Sequence, residues 1–155
     1  MPPAALRVRD AAPADAPRIA ELVGQLGYPS APAEIVARLA ALRATGARAL
    51  VAETEAGVCG LVTLHWTTVL HRPQPDARIG SLVVLDGSRG AGVGRALVEA
   101  VERIVRECGG CRLEVTSGLQ RAAAHAFYEH VGYVHTSRRF LKEWPGGSSS
   151  GGRPV

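Results

Sequence analysis

The chain has 155 residues, 46% of them hydrophobic and 21% charged, with a net charge of +4. That is enough apolar material for one core, and the length falls below that at which chains usually divide. No apolar run approaches the ~18–20 residues needed to span a bilayer, and the charge and aromatic content carry no nucleic-acid pattern, so membrane and nucleic-acid partners are not expected.

In chain order, Leu6-Arg7-Val8-Arg9 alternates like a first strand. Ile19, Leu22, Val23 and Leu26 recur at helical spacing over 14–26, with Asp15 and Pro17 near the start, so a helix is predicted there. Gly27-Tyr28-Pro29 breaks it, and Pro32 opens a second helix that ends near Thr45-Gly46. Strands over 49–52 and 58–64 form a hairpin around Glu55-Ala56-Gly57. Pro73 and Pro75 mark a loop before the apolar, β-branched strand 78–85. Leu97, Val98, Val101, Ile104, Val105 and Cys108 then trace an amphipathic helix, and Arg112-Leu113-Glu114-Val115-Thr116 a further strand. A last helix precedes Gly132-Tyr133, and a strand should follow it. The Gly- and Ser-rich stretch 145–155 has nothing to bury and reads as a flexible tail behind a single domain over 1–144.

Three cysteines, an odd count in a domain this large, favour a reducing, cytoplasmic setting over a disulfide scaffold. Cys108-Gly109-Gly110-Cys111 has no second ligand pair for zinc and falls at a helix end, where no dipole favours thiolate. Cys59, Cys108 and Cys111 therefore read as packing residues, and no metal is expected.

The most informative segment lies between strand 78–85 and the helix after it: Arg89-Gly90-Ala91-Gly92-Val93-Gly94-Arg95. Glycines let bare backbone N–H groups approach an anion, and a helix start adds about half a positive charge. Arg89 and Arg95 supply two fixed cations, so the turn suits a pyrophosphate. A P-loop would need Lys-Ser/Thr where Arg95-Ala96 stands, and the dinucleotide fingerprint would need a glycine at Arg95 or Leu97. The nucleophile elbow fails at Asp86.

Arg89, Gly92 and Gly94 meet the pattern Q/R-x-x-G-x-G/A, and Ala124-His125-Ala126-Phe127-Tyr128-Glu129-His130-Val131-Gly132-Tyr133 is similar to a helix ending in F-Y-E-x-x-G-F/Y. Together, in this order, they resemble the GNAT superfamily of N-acetyltransferases over roughly residues 5–143. The resemblance implies an α/β fold of element order βααβββαβαβ: a mixed, mostly antiparallel twisted sheet of about seven strands flanked by about four helices. It also implies acetyl-CoA as acyl donor, with the pyrophosphate on residues 89–95. The pantetheine arm would pair with the backbone of Leu82, Val83 and Val84 as an added strand. A backbone N–H near Leu82 would support the oxyanion, and Ser117, Ala124 and Tyr128 would complete the cofactor site.

Tyr128 is the expected general acid, since a phenol of pKa near ~10 can protonate a thiolate of pKa near ~8.5. The general base departs from the family pattern. Relatives often carry glutamate early in this strand, within A-R-I-E-x-L-V-V, whereas this chain has Gly80 in Ala77-Arg78-Ile79-Gly80-Ser81-Leu82-Val83-Val84. Strict alternation would put position 80 on the face of Leu82 and Val84, which carries no carboxylate. The proton would then leave through water to His65, His71, Glu114 or Ser81, or the substrate would bind already neutral. Tyr28, His65, His71, Ser81 and Glu114 are the candidate acceptor-site residues. The expected activity is direct acetyl transfer to a small primary amine, with a homodimer allowed. A protein or aminoacyl-tRNA acceptor, or a non-catalytic acyl-CoA sensor, are the alternatives.

Overall fold

The computed structural model describes residues 5–110, 112–117 and 121–145. The chain falls into two compact units, Met1–Val115 and Thr116–Val155. Cys111 and the glycine- and serine-rich stretch from 146 onward lie outside the described residues.

The first unit is built on one five-stranded sheet in the order β1-β2-β3-β4-β5. Strands β1 (Arg7–Asp10), β2 (Arg48–Thr54), β3 (Gly57–Thr67) and β4 (Asp76–Val84) pair antiparallel, and β5 (Leu113–Val115) joins β4 in parallel. Helices α1 (Ala16–Gln25) and α2 (Pro32–Ala44) lie between β1 and β2, and α3 (Val93–Glu107) between β4 and β5. Proline at the start of α1 and α2 costs nothing, because the first helical N–H groups have no partner in any case. Gly27 and Gly46 take positive φ just past the two helix ends, closing them.

Both faces of the sheet are covered. Ile19 and Leu22 of α1 and Ile35 and Leu39 of α2 cluster with Val51, Leu61 and Val83 on one face. On the other face α3 lies so close to β3 that a Cβ on Gly60 would stand 2.8 Å from Val93 Cγ1 and 2.9 Å from Leu97 Cδ1. Glycine at 60 is thus what admits the first turn of α3. Seven consecutive residues of β3, Val58 to Leu64, are buried, as a strand covered on both faces requires.

Arg9 holds the sheet edge together. Its guanidinium donates to Asp15 at 2.8 and 2.9 Å and to Glu53 at 2.8 Å, linking β1, the turn before α1, and β2. The same contacts hold the Asp15 carboxyl below its ordinary range.

Two features of β4 depart from a regular strand. Between the pairs Val62↔Leu82 and Leu64↔Ile79, two β4 residues, Gly80 and Ser81, oppose the single residue Thr63. This bulge shifts the alternation, so position 80 does not share a face with Leu82: a Cβ there would point at Thr63 and His65. Second, β5 pairs only with Ala77, Arg78 and Ile79. From Gly80 on, the outer edge of β4 has no strand partner among the described residues, and this unpaired edge past the end of β5 is the fork of the sheet.

The second unit contains α4 (Ala122–His130), closed by Gly132 at φ 98°. Tyr128 stands between Phe127 and Tyr133, edge-on to each with centroids 5.4 and 5.9 Å away. The expected strand after α4 is not formed among the described residues. Val134, Phe140 and Trp144 are largely exposed, and the charges at Arg138, Arg139 and Lys142 interrupt any apolar alternation. Among the described residues the sheet therefore has five strands where about seven were expected, while the order up to α4 and the four α-helices agree.

Candidate active site

Two pieces of backbone define the site in the first unit. One is the start of α3, whose N-cap, Gly92, is left-handed at φ 79° and gives no side-chain cap to the helix. The first turn's N–H groups, which have no acceptor inside a helix, are therefore not capped from within the chain by that residue. Gly90 is also left-handed at φ 79°, and a Cβ on either glycine would meet nothing within 4 Å. Both glycines thus border open space. Arg89, Gly90, Ala91 and Arg95 are exposed, Gly94 is half-buried, and Val93 points its side chain into the core against Gly60, leaving its backbone for the turn. Arg89 pairs with Asp86 at 3.0 Å while staying mostly in solvent. A nest of left-handed glycines, an uncapped helix start and two exposed arginines fit a pyrophosphate.

The other piece is the forked edge of β4. The Leu85 N–H donates to the Cys59 carbonyl at 2.9 Å, so along β4 the groups of Val83 also face β3. Those of Leu82 and Val84 face the opposite way, into the fork. Gln25 of α1 reaches into this edge, donating from Nε2 to the Val84 carbonyl at 3.1 Å and accepting from the Asp86 N–H at 3.3 Å. The Leu82 N–H and C=O and the Val84 N–H therefore form the strand edge to which an extended chain can add. Leu82 and Val84 thus present backbone groups away from β3, whereas those of Val83 are turned toward it.

At the mouth of the fork lies a polar cluster inside an apolar wall. The buried Thr63 hydroxyl receives the Ser81 N–H at 2.9 Å and lies 3.2 Å from His65 Nε2. Thr63 and Gln25 were not anticipated from the sequence. The signal for Thr63 was available, as the one hydroxyl within the buried run of β3. His65 faces Arg78 across the β3–β4 register, and Arg78 pairs with Glu114 of β5 at 3.8 Å. Burial pushes the imidazole below its ordinary pKa, and the Arg78 charge adds to the effect. The structure thus brings His65, Ser81 and Glu114 to one end of the sheet. His71 is exposed in the loop before β4, and Tyr28 lies half-exposed beyond α1. A shallow cavity of 210 Å³ lined by Trp66, Gln74, Pro75, Cys108 and Gly110 includes none of these residues. Cys59 is buried, with its thiol pushed up by burial, whereas Cys108 is exposed and does not serve packing.

In the second unit, burial raises the Tyr128 phenol above its ordinary pKa, so it carries its proton at neutral pH. The Ser117 hydroxyl is buried and meets no hydrogen-bond partner among the described residues. Ala124 is half-buried in the first turn of α4. Among the described residues no group of three His, Cys, Asp or Glu side chains is arranged to hold a metal ion.

A family model described as the acetyltransferase (GNAT) family matches residues 17–133. The chain belongs to the GNAT acetyltransferase family. Among relatives, an aminoalkylphosphonate N-acetyltransferase of Salmonella typhimurium is 34% identical over 85 residues, 55% of this chain and 55% of that protein. The chain thus aligns with about half the length of that curated relative. A solved structure from Agrobacterium tumefaciens is 30% identical with a TM-score of 0.78, covering 89% of this chain and 99% of that one. Glucosamine-6-phosphate N-acetyltransferase from Arabidopsis thaliana shares the fold at a TM-score of 0.79 and 20% identity, over 90% of this chain and 99% of that one. The GNAT match spans both compact units, and the motif residues Arg89, Gly92, Gly94 and Tyr128 all fall within it.

Proposed function

We propose that this GNAT protein is a cytoplasmic N-acetyltransferase that transfers an acetyl group directly from acetyl-CoA to a small primary amine. The observation that carries this reading is the pairing of an uncapped, glycine-lined helix start with a forked strand edge on the strand just before it. An acyl-CoA needs both: an anion cradle for its pyrophosphate and an extended edge for its arm. Acetyl-CoA supplies the activated thioester; every other requirement falls to the chain. Residues 89–95 bind the phosphates through backbone N–H groups and the two arginines. Leu82 and Val84 align the arm, and the Leu82 N–H donates toward the carbonyl oxygen as negative charge builds on it. By the family resemblance, Ser117 and Ala124 belong to the cofactor site and Tyr128 gives its phenolic proton to the departing sulfur.

The class of acceptor draws support from the Salmonella relative, whose name specifies an aminoalkylphosphonate. An anionic amine also suits a chain of net charge +4. The test is a panel of 2-aminoethylphosphonate, glucosamine-6-phosphate, an aminoglycoside and a lysine peptide, each incubated with acetyl-CoA. Free thiol and acetylated amine are read together by mass spectrometry. Equal amounts of thiol and N-acetylated small amine are expected; thiol release without any acetylated amine contradicts the reading. Acetylation of the peptide alone would move the acceptor to proteins.

A further inference from the structure

We propose that His65 is the general base of this enzyme, its imidazole standing in the space that a side chain at position 80 would otherwise fill. The inference rests on the transferase reading and deepens it. The geometry is specific. A Cβ built on Gly80 would lie 2.4 Å from His65 Nε2, 2.7 Å from its Cδ2 and 2.8 Å from Thr63 Oγ1. No side chain can enter there while the ring is present, so glycine at 80 and histidine at 65 are a matched pair. Gly80 is also the first residue of β4 beyond the last pair with β5, Ile79↔Val115. The ring therefore lies over the mouth of the fork, roughly two residues, or about 6–7 Å of strand, from the Leu82 N–H that faces into it.

The bulge positions the ring. Thr63 Oγ1 has two lone pairs; one takes the Ser81 N–H at 2.9 Å, and the other can take a proton carried on His65 Nε2 at 3.2 Å. In that tautomer Nδ1 keeps its lone pair and is the basic nitrogen. Once Nδ1 is protonated, Nε2 still donates to Thr63, so the cation that forms keeps its partner.

The charges around the ring suit the task. Arg78 faces it from β4, and Glu114 on β5 stands beyond, paired with Arg78. Thr63 on its own strand and Ser81 on β4 are neutral. Arg78 and burial both favour the neutral imidazole. At pH 7 the ring is therefore unprotonated and ready to accept, whereas an alkylammonium, of pKa about 10.4, still carries its proton.

In the step proposed, the bound ammonium gives one proton to His65 Nδ1, which passes it to water. The freed lone pair forms the C–N bond at the carbonyl carbon, pushing charge onto the oxygen, and the C–S bond then breaks as that charge returns. The second nitrogen proton leaves to water, the sulfur takes the Tyr128 proton, and the tyrosinate recovers one from water. One proton is released per acetyl group transferred.

The test is the pH dependence of kcat/KM for the fastest alkylamine of the panel, in wild type, His65→Ala and the double variant His65→Ala/Gly80→Glu. Coenzyme A binding by calorimetry is measured on each as a check of fold and donor site. The wild type should rise through an inflection below the ordinary histidine value of about 6.5 and then stay level until the amine itself titrates. His65→Ala should bind coenzyme A as the wild type does and lose about 10²-fold at pH 7. Its rate should instead climb toward the amine's own pKa, because solvent must now remove the proton. In the double variant the emptied space admits a carboxylate, and the level region should return. A wild-type rate that climbs without levelling, or a His65→Ala profile that matches the wild type, overturns the assignment and leaves the transferase reading standing. A wild type that binds coenzyme A but acetylates no amine overturns that reading as well.

Discussion

Among single residues, Tyr128 offers the cleanest separation of chemistry from packing. Its ring packs edge-on between Phe127 and Tyr133, and burial keeps its hydroxyl protonated well into the alkaline range. Phenylalanine keeps the ring contacts and removes only the hydroxyl. Tyr128→Phe should therefore lower kcat by about 10²-fold, the size of effect typical of a positioned acid, with coenzyme A affinity little changed. Stopped-flow turnover beside calorimetric titration checks both halves, and unchanged kcat with chemistry rate-limiting would return Tyr128 to packing. The family resemblance pointed to Tyr128, because the F-Y-E helix motif is visible in one line of sequence. The relation between His65 and Gly80 was not visible in that way. The two are fifteen positions apart across a loop containing Pro73 and Pro75, and only the register of β3 on β4 brings them together. The bulge at Gly80-Ser81 hid it further, since plain alternation turns position 80 toward the wrong face.

At the scale of elements, the strand–turn–helix unit from β4 to α3 was legible because two periods change abruptly there, from a continuous apolar run to three-and-four spacing, with glycines at the junction. What sequence periodicity does not express is how near α3 sits to the sheet. That distance is set by Gly60, far away in the chain. Gly60→Ala would place a methyl 2.8 Å from Val93 Cγ1 and 2.9 Å from Leu97 Cδ1, both on buried side chains with little room to give. The substitution should cost about 1–3 kcal/mol, as overpacking of a filled core usually does. Because Val93 and Leu97 belong to the first turns of α3, coenzyme A affinity should fall as well. Thermal melting with and without coenzyme A measures the two effects; an unchanged melting temperature would show that α3 is free to move off β3. The absence of a last strand among the described residues belongs to this scale too. After α4 the sequence carries isolated apolar residues among charges, and the chain leaves Phe140 and Trp144 exposed in place of a paired strand.

In the first unit, one sheet covered on both faces holds a helix start at the end of a strand whose outer edge beyond Ile79 has no strand partner among the described residues. The fork arises because β5 is only three residues long and pairs with β4 no further than Ile79. The anion cradle we propose rests on Gly90 and Gly92, which accept positive φ and leave the space beside them clear. The family and the sheet-and-helix order were readable from two motifs, whereas the division into units 1–115 and 116–155 was not, since both motifs lie inside one continuous family match. The claim on which the account turns is that the start of α3 binds the acyl donor. Calorimetric titration of coenzyme A into wild type and Gly92→Val tests it most directly, with circular dichroism confirming that the variant is folded. Valine resists a φ of 79° and puts a branched side chain into the space the pyrophosphate needs. One-site binding in the wild type and its loss in a folded Gly92→Val protein are the predicted result. A folded variant that binds coenzyme A as the wild type does would contradict the account.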